Sequence, residues 1–225
     1  MKNIEENIKI LKKKIQNLLK NNNTFLKKIK IVAASKNQSS QKIQMALLSG
    51  IHEFGENYVQ EGINKIRQLK QYNNIIWHFI GKLQSKKTKL VAQNFDWCQT
   101  IDREKIAFLL NQNRTNTQCP MNVLIQINIS KEKNKNGIDI KQYQKLAKVV
   151  SEMPNLNFRG IMAMPKKEKT SIKYSDYENI HNIFNILKDK YKSVDTLSLG
   201  TSFDITTALM YNSNMIRIGR DIFDC

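Results

Sequence analysis

Lys36 closes the apolar run Lys30-Ile31-Val32-Ala33-Ala34-Ser35-Lys36, just ahead of a helical segment that opens at Ser39. An ordinary lysine amine titrates near ~10.4 and is a cation at neutral pH. Desolvated at the mouth of an apolar strand bundle, the same amine gives up its proton and can condense with an aldehyde to a Schiff base. A lysine snorkelling from a strand end is the competing reading of these residues. Two later stretches, Ser198-Leu199-Gly200-Thr201-Ser202 and Arg217-Ile218-Gly219-Arg220, have the glycine and hydroxyl content of turns that hold a phosphate on backbone N–H groups. Glycines that merely permit tight turns, with Ser202 as a helix cap, explain the same residues. His78, between Trp77 and Phe79, reads as an interior histidine as readily as a base. Arg217 alternates with Ile216 and Ile218 and so points away from them, where a buried guanidinium needs a hydrogen-bonding partner such as a cofactor ring nitrogen.

These residues fall at the ends of a regular series of apolar runs. Strands are expected at 30–35, 52–55, 75–80, 97–101, 123–129, 158–164, 196–199 and 215–218. Between them lie helical stretches: Ser39 caps a segment ending before Gly50, residues 57–70 carry Val59, Ile63, Ile66 and Leu69 on one face, and Asp102, Asp139 and Asp176 precede or open three more. Ile4, Ile8, Leu11, Ile15 and Leu18 form the apolar stripe of an opening helix over about 2–20 that packs on the outside. Strand–helix alternation implies a parallel sheet, and eight strands closing on themselves make a (β/α)8 TIM barrel, with an open doubly wound sheet as the alternative. In such a barrel the chemistry sits where the strands end. Lys36, then Glu56 and Asn57, then His78, Lys82 and Gln84, and finally the two glycine turns all lie near such ends.

With 225 residues and 40% hydrophobic content the chain is expected to form one domain over 1–225. No segment resembles a membrane span or secretory signal, so a soluble, cytoplasmic protein is expected. Cys98, Cys119 and Cys225 are dispersed and form no metal or redox motif. A net charge of +18 raises nucleic acid as a partner. The lysines are nevertheless scattered through 12–14, 86–89, 131–135 and 166–169, with no aromatic RNA-binding strand or helix-turn-helix. The charge therefore reads as solvated faces, with weak, non-specific attraction to polyanions at low salt.

The sequence resembles the pyridoxal phosphate homeostasis proteins (the YggS/PROSC type) along nearly its whole length. The likeness is carried by Ala34-Ser35-Lys36, Phe54-Gly55-Glu56-Asn57-Tyr58-Val59-Gln60-Glu61, Trp77-His78-Phe79-Ile80-Gly81-Lys82-Leu83-Gln84-Ser85-Lys86, Arg159-Gly160-Ile161-Met162, the Leu197–Ser202 stretch and Arg217-Ile218-Gly219. The resemblance implies a fold-type III barrel like the alanine racemase N-terminal domain, binding pyridoxal 5′-phosphate (PLP, a vitamin B6 form) as a Schiff base on Lys36. It also implies phosphate contacts from Ser202, Gly219 and Arg220, a ring-nitrogen partner in Arg217, and pocket neighbours in Asn57, His78 and Met162. The role implied is homeostasis of the free cofactor in a monomer, with PLP-dependent apoenzymes as recipients and no efficient catalysis. A PLP-dependent racemase and a basic nucleic-acid binder are the alternatives. The family has Thr where this chain has Arg220, and a basic tail absent here, which bears on the phosphate site. A racemase would need a second base opposite Lys36, which in the racemases comes from a further domain. Tyr58 and Tyr211 are expected to be packing residues.

Overall fold

The structure, a computed structural model, describes residues 3–21, 29–114, 119–130, 136–166 and 172–224. The elements run α1 (Ile4–Asn21), β1 (Lys30–Ala34), α2 (Ser40–Leu48), β2 (Glu53–Glu56), α3 (Val59–Gln68), β3 (Ile76–Phe79), α4 (Thr88–Asn94), β4 (Trp97–Ile101) and α5 (Glu104–Asn113). They continue β5 (Met121–Ile127), α6 (Tyr143–Ser151), β6 (Leu156–Ala163), α7 (Tyr174–Lys190), β7 (Thr196–Ser198), α8 (Ile205–Met210), β8 (Met215–Ile218) and α9 (Arg220–Phe223). Each strand pairs in parallel with the next, and β8 returns to β1 with Arg217 opposite Val32, so the sheet closes into the expected barrel.

Because side chains alternate along a strand, two apolar layers form. One fills the barrel interior and contains Val32, Trp97, Leu124, Met162 and Met215. The larger lies between strands and helices and takes Ala33, Phe54, Phe79, Val123, Leu197 and Ile216 from the opposite faces. Helix α1 buries Ile4, Ile8, Leu11 and Ile15 as its stripe requires. Asn7 Nδ2 pins it to the end of the chain by donating to the carbonyls of Ile222 at 3.2 Å and Asp224 at 3.3 Å.

The local signals hold unevenly. Ser39 caps α2 by accepting from the Lys42 N–H at 3.3 Å, and Asp139 caps a 3₁₀ turn by accepting from the Lys141 N–H at 2.8 Å. Asp102 caps nothing; it pairs with Arg103 at 2.5 Å, and α5 starts at Glu104. Asp176 sits inside the first turn of α7, buried, where it accepts from Ser130 Oγ at 2.5 Å. Ser202 does not cap α8, whose flanking residue is Asp204. The chain after Gln84, which carries the lysines of 86–89, makes a 3₁₀ turn and then α4, which buries Val91 and Ala92. Tyr211 packs on Tyr177 with ring centroids 5.9 Å apart, but Tyr58, at the entry to α3, is 59% exposed and packs little.

No helix among the described residues is long and apolar enough to cross a membrane. Nor do these residues contain a group of His, Cys, Asp or Glu side chains that could hold a metal. Cys98 is buried, which pushes its thiol up to about 11, and Cys119 is exposed. Cys225 and the lysines of 131–135 and 167–169 lie outside the described residues.

Candidate functional site

Strand β1 stops at Ala34, so Lys36 stands two residues beyond it in the turn to α2 and is exposed. The desolvation expected for it is therefore not supplied by the protein alone. The turn itself is firmly built. Ser35 donates its N–H to the Gly55 carbonyl at 3.0 Å, and Asn37 adopts the left-handed φ of 60°, which Asn tolerates better than most residues. By strand parity Lys30, Val32 and Ala34 share the inward face, and Lys36 follows them in the turn.

Across the β1–β8 seam, Arg217 points into the barrel and is 5% exposed. NH1 donates to Ser198 Oγ at 2.5 Å and NH2 to the Ala163 carbonyl at 2.9 Å. Burial pulls its pKa down to about 10, so it is still a cation at neutral pH. From Ser198 a string of side chains descends through the interior. Ser198 Oγ donates to Gln99 Oε1 at 2.7 Å, and Gln99 Nε2 meets His78 Nδ1 at 3.0 Å. His78 Nε2 lies 2.9 Å from Glu53 Oε2. Gln99 Nε2 can only donate, so His78 Nδ1 accepts and Nε2 carries the proton to Glu53. Burial holds the His78 pKa below its ordinary value, against the opposing pull of Glu53, and the ring stacks on Trp97 at 5.2 Å. His78 is thus a satisfied interior histidine that reaches Arg217 through two intermediates.

The β7–α8 loop is shaped by a buried carboxylate. Asp204 Oδ1 accepts from the Thr201 N–H at 2.8 Å and Thr201 Oγ1 at 2.6 Å, while Oδ2 accepts from Tyr177 O–H at 2.6 Å. Gly200 takes φ +103°, and a Cβ there would lie 2.6 Å from Ala208 Cβ, so glycine is required. Gly219 differs: its φ is −110°, and a Cβ would meet nothing nearer than the Ala34 carbonyl oxygen at 3.4 Å. The turn thus does not demand a glycine at 219. Ser202 Oγ accepts from the Asp221 N–H at 3.4 Å, joining the two glycine turns. Arg220 is exposed at the start of α9.

The structure thus gathers Lys36, Asn57, Ser202, Gly219 and Arg220 at the end of the barrel where the strands finish, with Arg217 just inside. Asn57 and Lys82 border a mouth cavity of ≈ 210 Å³ with Gln126, Asn128 and Met164. Met162 lies deeper, in the interior apolar cluster, and His78 is completely buried. Sequence reading passed over Gln99, Asp204 and Tyr177. A glutamine at an inward position of the mostly apolar Trp97–Ile101 strand was the available signal for the first. Tyr177 and Asp204 are far apart in the chain and gave none.

A closed parallel barrel with polar groups crowded at one mouth is the class these observations define. The family model described as "Alanine racemase, N-terminal domain" matches residues 1–224. The pyridoxal phosphate homeostasis protein of Buchnera aphidicola subsp. Schizaphis graminum is 69% identical over 224 residues, 99% of this chain and 98% of that one. Its Escherichia coli K12 namesake is 46% identical over 198 residues, 87% of this chain and 85% of the other. PipY of Synechococcus elongatus, solved without PLP, superimposes with a TM-score of 0.82 at 26% identity, covering 92% of this chain and 98% of PipY. The chain belongs to the alanine racemase N-terminal-domain family and, within it, to the pyridoxal phosphate homeostasis proteins.

Proposed function

We propose that this chain holds PLP at the barrel mouth, covalently on Lys36, and serves homeostasis of the free cofactor without efficient turnover. The observation that carries the reading is Arg217: a buried cation, fixed by Ser198 and the Ala163 carbonyl, one strand away from the turn that presents Lys36. Lys36 Nζ would hold the PLP aldehyde carbon by condensation, with loss of the carbonyl oxygen as water. Ser202, the Gly219 backbone and Arg220 take the phosphate. The exposed Arg220 guanidinium, next to Gly219, can make charge-assisted bonds to the phosphate in place of a threonine hydroxyl. Asn57 borders the bound ring, while His78 and Met162 act from beneath, His78 through Gln99 and Ser198. The names of the two relatives support the assignment.

Bound PLP would supply an electron sink. Arg217 at the ring nitrogen disfavours ring protonation and so weakens that sink, which suits binding better than catalysis. A single domain, a monomeric state, a cytoplasmic location and PLP-dependent apoenzymes as recipients belong to the same proposal. Titration with PLP is expected to raise an absorbance band near the visible edge, absent in Lys36→Ala. Chiral chromatography after incubation with L- and D-alanine checks the other half of the claim. Racemisation at about 1–1000 per second, the ordinary enzyme range, would overturn it.

A further inference from the structure

Both neighbours of Lys36 are tied to one charge cluster, in which Lys65 and Glu56 are buried and Glu61 is partly exposed. Lys65, on α3 and only 6% exposed, donates to the Ser35 carbonyl at 2.6 Å, Glu56 Oε1 at 2.8 Å and Glu61 Oε1 at 2.6 Å, which uses all three ammonium protons. Ser35 Oγ donates back to Glu56 Oε1 at 2.6 Å. On the other side of Lys36, the Asn37 N–H donates to Glu61 Oε1 at 2.6 Å, the same oxygen that holds Lys65. The residue before Lys36 and the residue after it are therefore fixed to a single ammonium–carboxylate unit, and the left-handed Asn37 is held within that grip.

Burying the Lys65 and Glu56 charges gains little stability by itself, because desolvation offsets most of the Coulombic gain. Burial does raise the Glu56 pKa despite Lys65 and Ser35, and Glu56 Oε2 has no hydrogen-bond partner among the described residues. What the cluster does supply is a rigid backbone on either side of an exposed, long and otherwise mobile side chain. We infer that Glu61 and Lys65, anchored by Glu56, are positioning residues that fix the Ser35–Asn37 turn and so aim Lys36 Nζ at the aldehyde carbon.

This inference rests on the proposed covalent role of Lys36, and its test separates the two. The rate of the visible-edge band on mixing with PLP is measured for wild type, Glu61→Ala and Glu61→Gln. Glu61 is partly exposed and its loss leaves the Lys65–Glu56 pair intact, so the fold should survive. Glu61→Ala is expected to slow the band about tenfold, as misaligned reacting groups do, while Glu61→Gln, which keeps an acceptor oxygen for Asn37, restores most of the rate. Amide exchange on wild type without PLP gives an independent reading, with the Asn37 N–H protected. A normal rate in Glu61→Ala, equal slowing in both variants, or an unprotected Asn37 amide overturns the clamp. No band in wild type overturns the Lys36 reading and takes the clamp with it.

Discussion

At the scale of single residues, the mouth holds three cationic side chains in different settings: Lys36 and Arg220 are exposed, and Arg217 is buried and fixed. If Arg220 stands in for a phosphate-binding hydroxyl, Arg220→Thr should weaken PLP binding at low salt and flatten its salt dependence. Equal affinity with the same salt slope would remove Arg220 from the site. His78 gives a second test. Burial lowers its pKa in the folded protein, so the unfolded chain binds the proton more readily. Its contribution to stability is present above the unfolded value of about 6.5 and is lost as the pH falls below it, by at most about 1.4 kcal/mol per pH unit. The groups acting on it are Glu53, Gln99, Lys30 and Asp96. Denaturant melts between pH 7.5 and 5 should show a shallower acid loss in His78→Gln than in wild type. Parallel curves would mean that His78 titrates normally.

At the scale of elements, the polar groups that shape the mouth are held by partners from other strands and helices. Tyr177 on α7 holds Asp204, which in turn shapes the β7–α8 loop that carries Ser202. Burial and the bond to Asp204 keep its phenol well above the usual range, so it acts as a donor throughout the working pH. Tyr177→Phe leaves Asp204 Oδ2 without this donor, at a cost of about 1–3 kcal/mol in denaturant melts, with weaker PLP binding as the loop loosens. No change in either quantity would show that the loop stands without it. These couplings mark the limit of legibility. Strand positions, the inward turn of Arg217 and the Ser39 cap followed from local alternation and spacing, which depend on neighbours in sequence. The strings from Glu53 to Arg217 and from Tyr177 to Thr201 depend on where the barrel closes, and no local pattern encodes that. Asp102 and Asp176 looked like caps because capping preferences ignore competing partners, here Arg103 and Ser130.

At the scale of the whole molecule, closure of β8 on β1 brings the two ends of the barrel sequence to one seam, with Lys36 beyond one strand and Arg217 and Gly219 on and after its neighbour. That seam is what would let the proposed covalent lysine, ring-nitrogen partner and phosphate turn act on one small molecule. The covalent role of Lys36 is the central claim, and reductive trapping tests it most directly. Protein incubated with PLP is treated with borohydride, digested, and the modified peptide located by mass spectrometry. The account predicts one dominant adduct, on Lys36. An adduct found chiefly on Lys82, Lys86 or another of the exposed lysines, with Lys36 unmodified, would contradict it.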